Sequence, residues 1–130
     1  MCLRFVWLAL LIAYSAFIFY LSDQPSLPVP ALFPHQDKLL HAAAYGLLAF
    51  LAINCFKCQR LTFNAALVLS FLFCALYGMS DEWHQSFIDG RQADILDWLA
   101  DCMGALLLLI SLKVLQKNDF ILKAKAGKVF

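Results

Sequence analysis

Residues 95–112 read ILDWLADCMGALLLLISL, an apolar run of 18 residues with two aspartates, Asp97 and Asp101, in its first half. At about 1.5 Å rise per residue, a helix of this length spans roughly 27 Å, close to the roughly 30 Å hydrocarbon core of a bilayer. A helix also bonds its backbone polar groups to one another, which lipid requires. The run therefore predicts a membrane-spanning helix that carries acidic side chains into the membrane.

Three more apolar runs precede it, at residues 5–21, 39–56 and 61–79. Of the 130 residues, 63% are hydrophobic and 15% are charged, whereas soluble domains are about half apolar and about a quarter charged. The connections between the runs are too short to fold as separate domains. We therefore expect an all-α, polytopic membrane protein in which residues 1–130 form a single domain, a bundle of four transmembrane helices.

The first run would also suit a cleaved signal peptide, because it follows directly on the basic Arg4. Its 17 residues exceed the usual signal core of about 7 to 15 residues, and no small-x-small cleavage site follows it. We therefore expect this run to be retained as a membrane span.

The basic residues are divided unevenly between the two sides of such a bundle. Lys38 and Arg91 lie in the first and third connections. The other eight lie at the termini or in the second connection: Arg4, Lys57, Arg60, Lys113, Lys117, Lys123, Lys125 and Lys128. Because cytoplasmic segments are enriched in Lys and Arg, this predicts an N-in/C-in, multi-pass protein of the inner (cytoplasmic) membrane. We expect the lipid bilayer as its partner and no nucleic acid; the oligomeric state stays open.

Polar residues on the second span share one helical face. Asp37, His41 and Tyr45 recur every four residues, next to Lys38. We expect Asp37 to orient His41 and Tyr45 to form a hydrogen bond with it, which would suit a general base. The alternative is a histidine that merely forms an interhelical hydrogen bond.

Acidic residues on the fourth span form a second stripe, Asp94, Asp97 and Asp101, which continues to Gly104. Asp94 suits an N-cap, Asp97 suits a capping box, and Gly104 would allow close helix approach. Asp101 lies beyond the first turn, and a carboxylate at membrane depth costs about 2.5 to 3.5 kcal/mol. It therefore needs a partner, for which the candidates are Arg91, Lys38, His41 or a bound cation.

The third connection is predicted to bring further polar groups to the same place. Glu82 and Gln85 are three residues apart and so share a face on an extension of the third span. An Asp-Gly pair at residues 89–90 predicts a turn. We expect this turn to return the chain so that Arg91 and Asp94 face Glu82 and Gln85.

Together these residues form a recognisable pattern: Asp37-Lys38-x-x-His41-x-x-x-Tyr45, then Asp81-Glu82-x-x-Gln85-x-Phe87-x-x-x-Arg91-x-x-Asp94-x-x-Asp97, then Gly104. The pattern resembles the VanZ-like family over residues 37–107. Relatives commonly carry Asn where this chain has Asp101, so the chain adds a carboxylate there. The resemblance implies a small cell-envelope membrane protein, and the family's namesake is associated with low-level resistance to the glycopeptide teicoplanin.

Three functional hypotheses follow. In the first, an outward acidic pocket binds or acts on a cell-wall or lipid-linked ligand, whose anionic group meets Arg91 and Lys38, and contributes to glycopeptide tolerance. In the second, the protein is an enzyme: four carboxylates, Glu82, Asp94, Asp97 and Asp101, hold a divalent cation and His41 is the general base for a reaction on a lipid phosphate. In the third, the polar groups only lock a membrane scaffold together.

The residues assigned to chemistry are His41, Glu82, Arg91 and Asp97. The residues assigned to ligand contacts are Asp37, Lys38, Tyr45, Gln85, Asp94 and Asp101.

Overall fold

The computed structural model describes residues 3–26, 30 and 32–126, with side chains as far as residue 119. Four helices follow one another along the chain: α1 (Arg4–Ser22), α2 (Gln36–Lys57), α3 (Phe63–Gln85) and α4 (Ile95–Ala126). All four are long and apolar enough to cross a membrane. The all-α fold with four membrane helices is thereby confirmed, while the single domain over residues 1–130 stays a prediction.

The helices extend beyond the predicted apolar runs at their polar ends. The second helix begins at Gln36 instead of residue 39, and the fourth continues from residue 112 to Ala126. Hydropathy marks only the part of a helix that suits lipid, whereas the backbone hydrogen bonds continue into polar turns. The predicted extension of the third span is confirmed, since α3 runs to Gln85.

Local signals in the sequence explain two of the connections. The side chain of Thr62 caps α3 by accepting a hydrogen bond from the backbone N–H of Ala65 at 3.2 Å. Gly90 has a φ of 86°, in the left-handed region that glycine adopts without strain. The turn predicted at residues 89–90 is therefore present.

The closest helix pair is α2 and α4, where glycines let two backbones meet. A Cβ atom built at Gly104 would collide with the backbone carbonyl of Ala42. Gly46 faces the backbone of Gly104 with more room, because a Cβ there would lie 3.5 Å from the Gly104 carbonyl oxygen. The predicted role of Gly104 in close approach is confirmed.

Hydrogen bonds from aromatic side chains to backbone carbonyls join the other helices. The Tyr14 hydroxyl donates to the Ala44 carbonyl at 3.2 Å, and the Tyr77 hydroxyl donates to the Ser15 carbonyl at 2.6 Å. The indole of Trp98 on α4 donates to the Ala75 carbonyl on α3 at 2.9 Å. Each bond satisfies a polar group that would otherwise be unpaired in an apolar environment.

Large apolar side chains cover the outside of the bundle. Examples are Phe5, Leu76 and Leu107, which are 80%, 64% and 61% exposed. Such a surface fits a lipid bilayer and would be unusual in water. The C-terminal ends of α1 and α3 lie at the same end of the bundle as the N-terminal ends of α2 and α4. We call this the cluster end because the polar residues lie there.

Candidate functional site

The cluster end contains a lysine bound by three carboxylates. The ammonium Nζ of Lys38 donates to Oδ2 of Asp94 and Oδ1 of Asp97, each at 2.7 Å, and to Oδ2 of Asp37 at 3.1 Å. Lys38 lies in the first turn of α2, and the two nearer aspartates lie at the start of α4. The lysine therefore ties the beginnings of these two helices together.

One turn deeper, His41 pairs with Asp101. Nδ1 of the ring lies 3.0 Å from Oδ1 of Asp101, a carboxylate that is fully buried. Nε2 lies 4.0 Å from Oδ2 of Asp97, too far for a hydrogen bond. Of the partners predicted for Asp101, His41 is therefore the one it contacts.

The expectation that Asp37 orients His41 and Tyr45 bonds to it is wrong. The Asp37 side chain is 59% exposed and contacts Lys38, and the buried Tyr45 hydroxyl has no hydrogen-bond partner among the described residues. The close approach of α4 at Gly104 brings Asp101 next to the ring, so the partner comes from another helix.

A carboxylate from α3 completes the start of α4. Asp94 Oδ1 accepts the backbone N–H of Leu96 at 2.8 Å, so its predicted N-cap role is confirmed. The backbone N–H of Asp94 itself donates to Oε2 of Glu82 at 2.8 Å. The capping box expected of Asp97 is not formed, because Glu82 takes that amide while the Asp97 carboxylate binds Lys38.

The electrostatic environment at the start of α4 favours the ionised form of the Asp94 carboxyl group. This residue precedes α4, and the hydrogen bond from Lys38, with that from the Leu96 amide, holds its pKa below the ordinary value of 3.8. Asp94 is therefore ionised over the physiological pH range.

A cavity of about 270 Å³ lies beside the cluster, between α1, α2 and α3. Polar groups form part of its lining: Ser22, His41, Tyr45, Asp81, Gln85 and Arg91. Mainly apolar side chains form its other walls: Tyr14, Phe17, Ile18, Leu21, Leu40 and Ala44. We call it the amphiphilic cavity. His41 also belongs to the ion cluster, by which we mean the charged residues Asp37, Lys38, His41, Glu82, Asp94, Asp97 and Asp101.

Arg91 is anchored on α1 and does not join the carboxylates. Its Nε donates to the Gln24 carbonyl at 3.0 Å and its Nη2 to the Leu21 carbonyl at 2.9 Å, which satisfies the end of α1. Four residues were expected to face one another. The Asp94 amide forms a hydrogen bond with Glu82, whereas Arg91 and Gln85 both line the amphiphilic cavity.

The assignment of site residues from the sequence missed Asp81. This carboxylate is 5% exposed, lines the cavity and accepts a hydrogen bond from Nε2 of Gln85 at 3.3 Å. Gln85 also lies 3.4 Å from the Ser22 hydroxyl. The spacing of four between Asp81 and Gln85 places them on one helical face. Since Gln85 was already assigned to the site, this spacing would have been sufficient to add Asp81.

The residues able to hold a metal ion differ from the four carboxylates expected. His41, Glu82 and Asp97 each offer one donor atom, and these atoms lie within 4.8 Å of one another. Asp94 is occupied by its helix cap and by Lys38. Oδ1 of Asp101 faces His41, while its Oδ2 is buried without a hydrogen-bond partner among the described residues.

Four apolar helices with buried charged groups at one end define a multi-pass membrane protein. A sequence model of the family described as VanZ/LLP1 matches residues 5–116. The chain belongs to this family, as its polar pattern indicated.

A curated protein is also similar to this chain. An uncharacterized protein of Schizosaccharomyces pombe is 32% identical over 104 residues, which are 79% of this chain and 60% of that protein. The chain thus spans about 60% of the relative's length. No solved structure matches the chain.

Proposed function

We propose that this VanZ/LLP1-family membrane protein binds the polar headgroup of an anionic, lipid-linked ligand in the amphiphilic cavity. The observation that carries the proposal is the composition of that cavity, whose lining combines polar and charged groups with apolar side chains. A lipid-linked molecule likewise combines a polar headgroup with an apolar chain. Ligand sites in proteins commonly combine apolar walls with a few polar groups.

Two groups in the cavity retain hydrogen-bonding capacity. Arg91 directs two donor groups at α1, and a guanidinium carries five N–H donors, so others remain for a phosphate oxygen. The Tyr45 hydroxyl is buried and has no partner among the described residues. Lys38 is less suited to the ligand, because three carboxylates already surround it.

A second candidate is an enzyme that acts on a lipid phosphate. It is favoured by His41, which lines the cavity while its ring is held by Asp101. A histidine positioned in this way can take a proton from water or a hydroxyl group. Replacement of His41 by Gln would then abolish turnover of a lipid phosphate and leave its binding within about threefold.

The remaining parts of the proposal come from charge distribution and from the family resemblance. They are an N-in/C-in orientation, a place in the inner (cytoplasmic) membrane and an outward-facing cavity. A role in glycopeptide tolerance stays a prediction of the resemblance. A change in the inhibitory concentration of teicoplanin on deletion of the gene from a bacterial host would support it.

The ligand proposal is tested by a substitution that fills the cavity with a larger side chain. Each variant is reconstituted in nanodiscs that contain photoactivatable phosphatidic acid, and its crosslinking to this lipid is measured. Ala44 lines the cavity, whereas its neighbour Ala43 is exposed on the outside of α2. We expect Ala44→Leu to reduce crosslinking at least fivefold and Ala43→Leu to leave it unchanged. Equal crosslinking in the two variants, both folded by circular dichroism, would contradict the proposal. Photoactivatable diacylglycerol, which lacks the phosphate, is expected to crosslink less.

A further inference from the structure

The ion cluster contains a donor set that the lipid-linked ligand does not require. His41 of α2, Glu82 of α3 and Asp97 of α4 direct one donor atom each into a common space, within 4.8 Å of one another. We propose that these three side chains bind one divalent transition-metal ion, of which Zn²⁺ is the representative. Asp101 acts as a positioning residue behind His41.

The histidine is already oriented as a metal ligand. Asp101 Oδ1 lies 3.0 Å from Nδ1, so the carboxylate favours a proton on Nδ1 and leaves the lone pair on Nε2. Nε2 then faces Oδ2 of Asp97 at 4.0 Å. Metal-bound histidines commonly have such a carboxylate on the second ring nitrogen, which fixes the ring and raises its basicity.

A buried oxygen without a partner marks Glu82 as a cation ligand. The residue is only 7% exposed, and its Oε1 has no hydrogen-bond partner among the described residues. Its other oxygen, Oε2, accepts the Asp94 amide, which fixes the side chain in place. A carboxylate oxygen left unpaired in a buried position is costly, and a bound cation would satisfy it.

The distribution of charge also leaves room for a cation. Lys38 contacts Oδ1 of Asp97, so Oδ2 remains free on the side that faces His41. Lys38 is shared with Asp37 and Asp94, Asp101 pairs with His41, and Glu82 forms no ion pair among the described residues. A divalent ion between these groups would compensate the excess of negative charge.

The donor types select the class of metal. One imidazole nitrogen with two carboxylate oxygens suits Zn²⁺ and neighbouring transition metals, whereas Mg²⁺ and Ca²⁺ prefer oxygen alone. Around Zn²⁺, donor atoms lie roughly 3.4 Å apart, so the three side chains would draw together on binding. Three protein ligands leave a fourth position for water or for a ligand oxygen. His41 and Asp97 are 18% and 13% exposed at their side chains, which gives the ion a path from solvent.

The test uses the full chain, without a histidine tag, stripped with a chelator and reconstituted in nanodiscs. Isothermal titration with Zn²⁺ is expected to show one equivalent bound by the wild type, with Mg²⁺ at least 100-fold weaker. Glu82→Gln retains an oxygen for the Asp94 amide and is expected to bind Zn²⁺ at least tenfold more weakly. Asp89→Asn changes an exposed carboxylate of the third connection and is expected to stay within twofold.

Co²⁺ supplies an independent readout of the histidine. The visible absorption of bound Co²⁺ is expected in the wild type and absent in His41→Gln. If Glu82→Gln fails to fold, Asp97→Asn replaces it in the titration. No Zn²⁺ binding by the folded wild type, or unchanged binding in the Glu82 and His41 variants, would overturn the metal site. Because lipid crosslinking at the amphiphilic cavity is measured without metal, either proposal can fail while the other stands.

Discussion

His41 on α2 and Asp101 on α4 are 60 positions apart in the sequence, and Nδ1 of the ring lies 3.0 Å from Oδ1 of the carboxylate. The contact exists because two backbones approach closely just below it, where Gly104 meets Ala42. An ionisable pair inside the membrane is thereby fixed by a glycine that carries no chemistry. The geometry of the candidate site therefore depends on how closely α2 and α4 pack.

Removal of the Asp101 carboxylate should destabilise the bundle. In Asp101→Ala, the partly buried His41 loses its partner, and an unsatisfied buried polar group costs about 1 to 3 kcal/mol. Asp101→Asn keeps an oxygen acceptor of the same shape and should lose no more than about 1 kcal/mol. Unfolding by SDS in mixed micelles, followed by circular dichroism, measures both. Ser111→Ala, an exposed site on the same helix, is the control. Equal stability of the Ala and Asn variants would show that the pair does not hold α2 to α4.

The two glycines of the α2–α4 contact should respond differently to the same change. Gly104→Ala places a Cβ against the Ala42 backbone and should cost about 1 to 3 kcal/mol or more, because backbone cannot move aside as a side chain can. Gly46→Ala gains helix propensity of up to about 1 kcal/mol and meets only ordinary contact at 3.5 Å. Both variants gain the same propensity, so the difference in unfolding free energy reports packing alone. Similar values for the two would contradict the close approach.

Acid should weaken the link between Lys38 and Asp94. The hydrogen bond from Lys38 lowers the pKa of the Asp94 carboxyl from 3.8, so the stabilisation is present above that ordinary value and is lost as pH falls through the lowered pKa. Asp94→Asn retains an N-cap but no charge. The wild type should therefore unfold at a higher detergent concentration than Asp94→Asn at pH 7, and the difference should shrink as pH falls below 3.8 and disappear below the lowered pKa. A difference that grew on acidification would have the wrong sign.

The sequence predicted the helices well because lipid imposes a strong constraint on composition. The four apolar runs, the extension of α3 and the Asp-Gly turn are all present. The continuation of α4 to Ala126 could not be read from hydropathy, since its lysine-rich end no longer needs to suit lipid. The N-cap of Asp94 was predictable because such a cap depends only on neighbouring residues.

The partners within the site were harder to predict, because they depend on distances between helices. Spacing along α2 suggested that Asp37 would orient His41, but the residue that contacts the ring is Asp101 of α4. In the same way, a capping box within α4 was replaced by Glu82 of α3. The sequence identified which residues are polar in the membrane, whereas helix packing decides which of them meet.

The central claim is that polar groups from separate helices meet in a water-accessible site on the outer side of the membrane. A membrane-impermeant thiol reagent, applied to intact cells in a cysteine-free background, tests it at Asp97→Cys and, at the rim, Asp94→Cys. Met103→Cys, on the apolar surface of α4, and Lys117→Cys, on the opposite side of the membrane, are the controls. We expect reaction at 97 and 94 from outside, at 117 only after permeabilisation, and at 103 in neither case. Absence of reaction at 97 and 94, or reaction there only after permeabilisation, would contradict the claim.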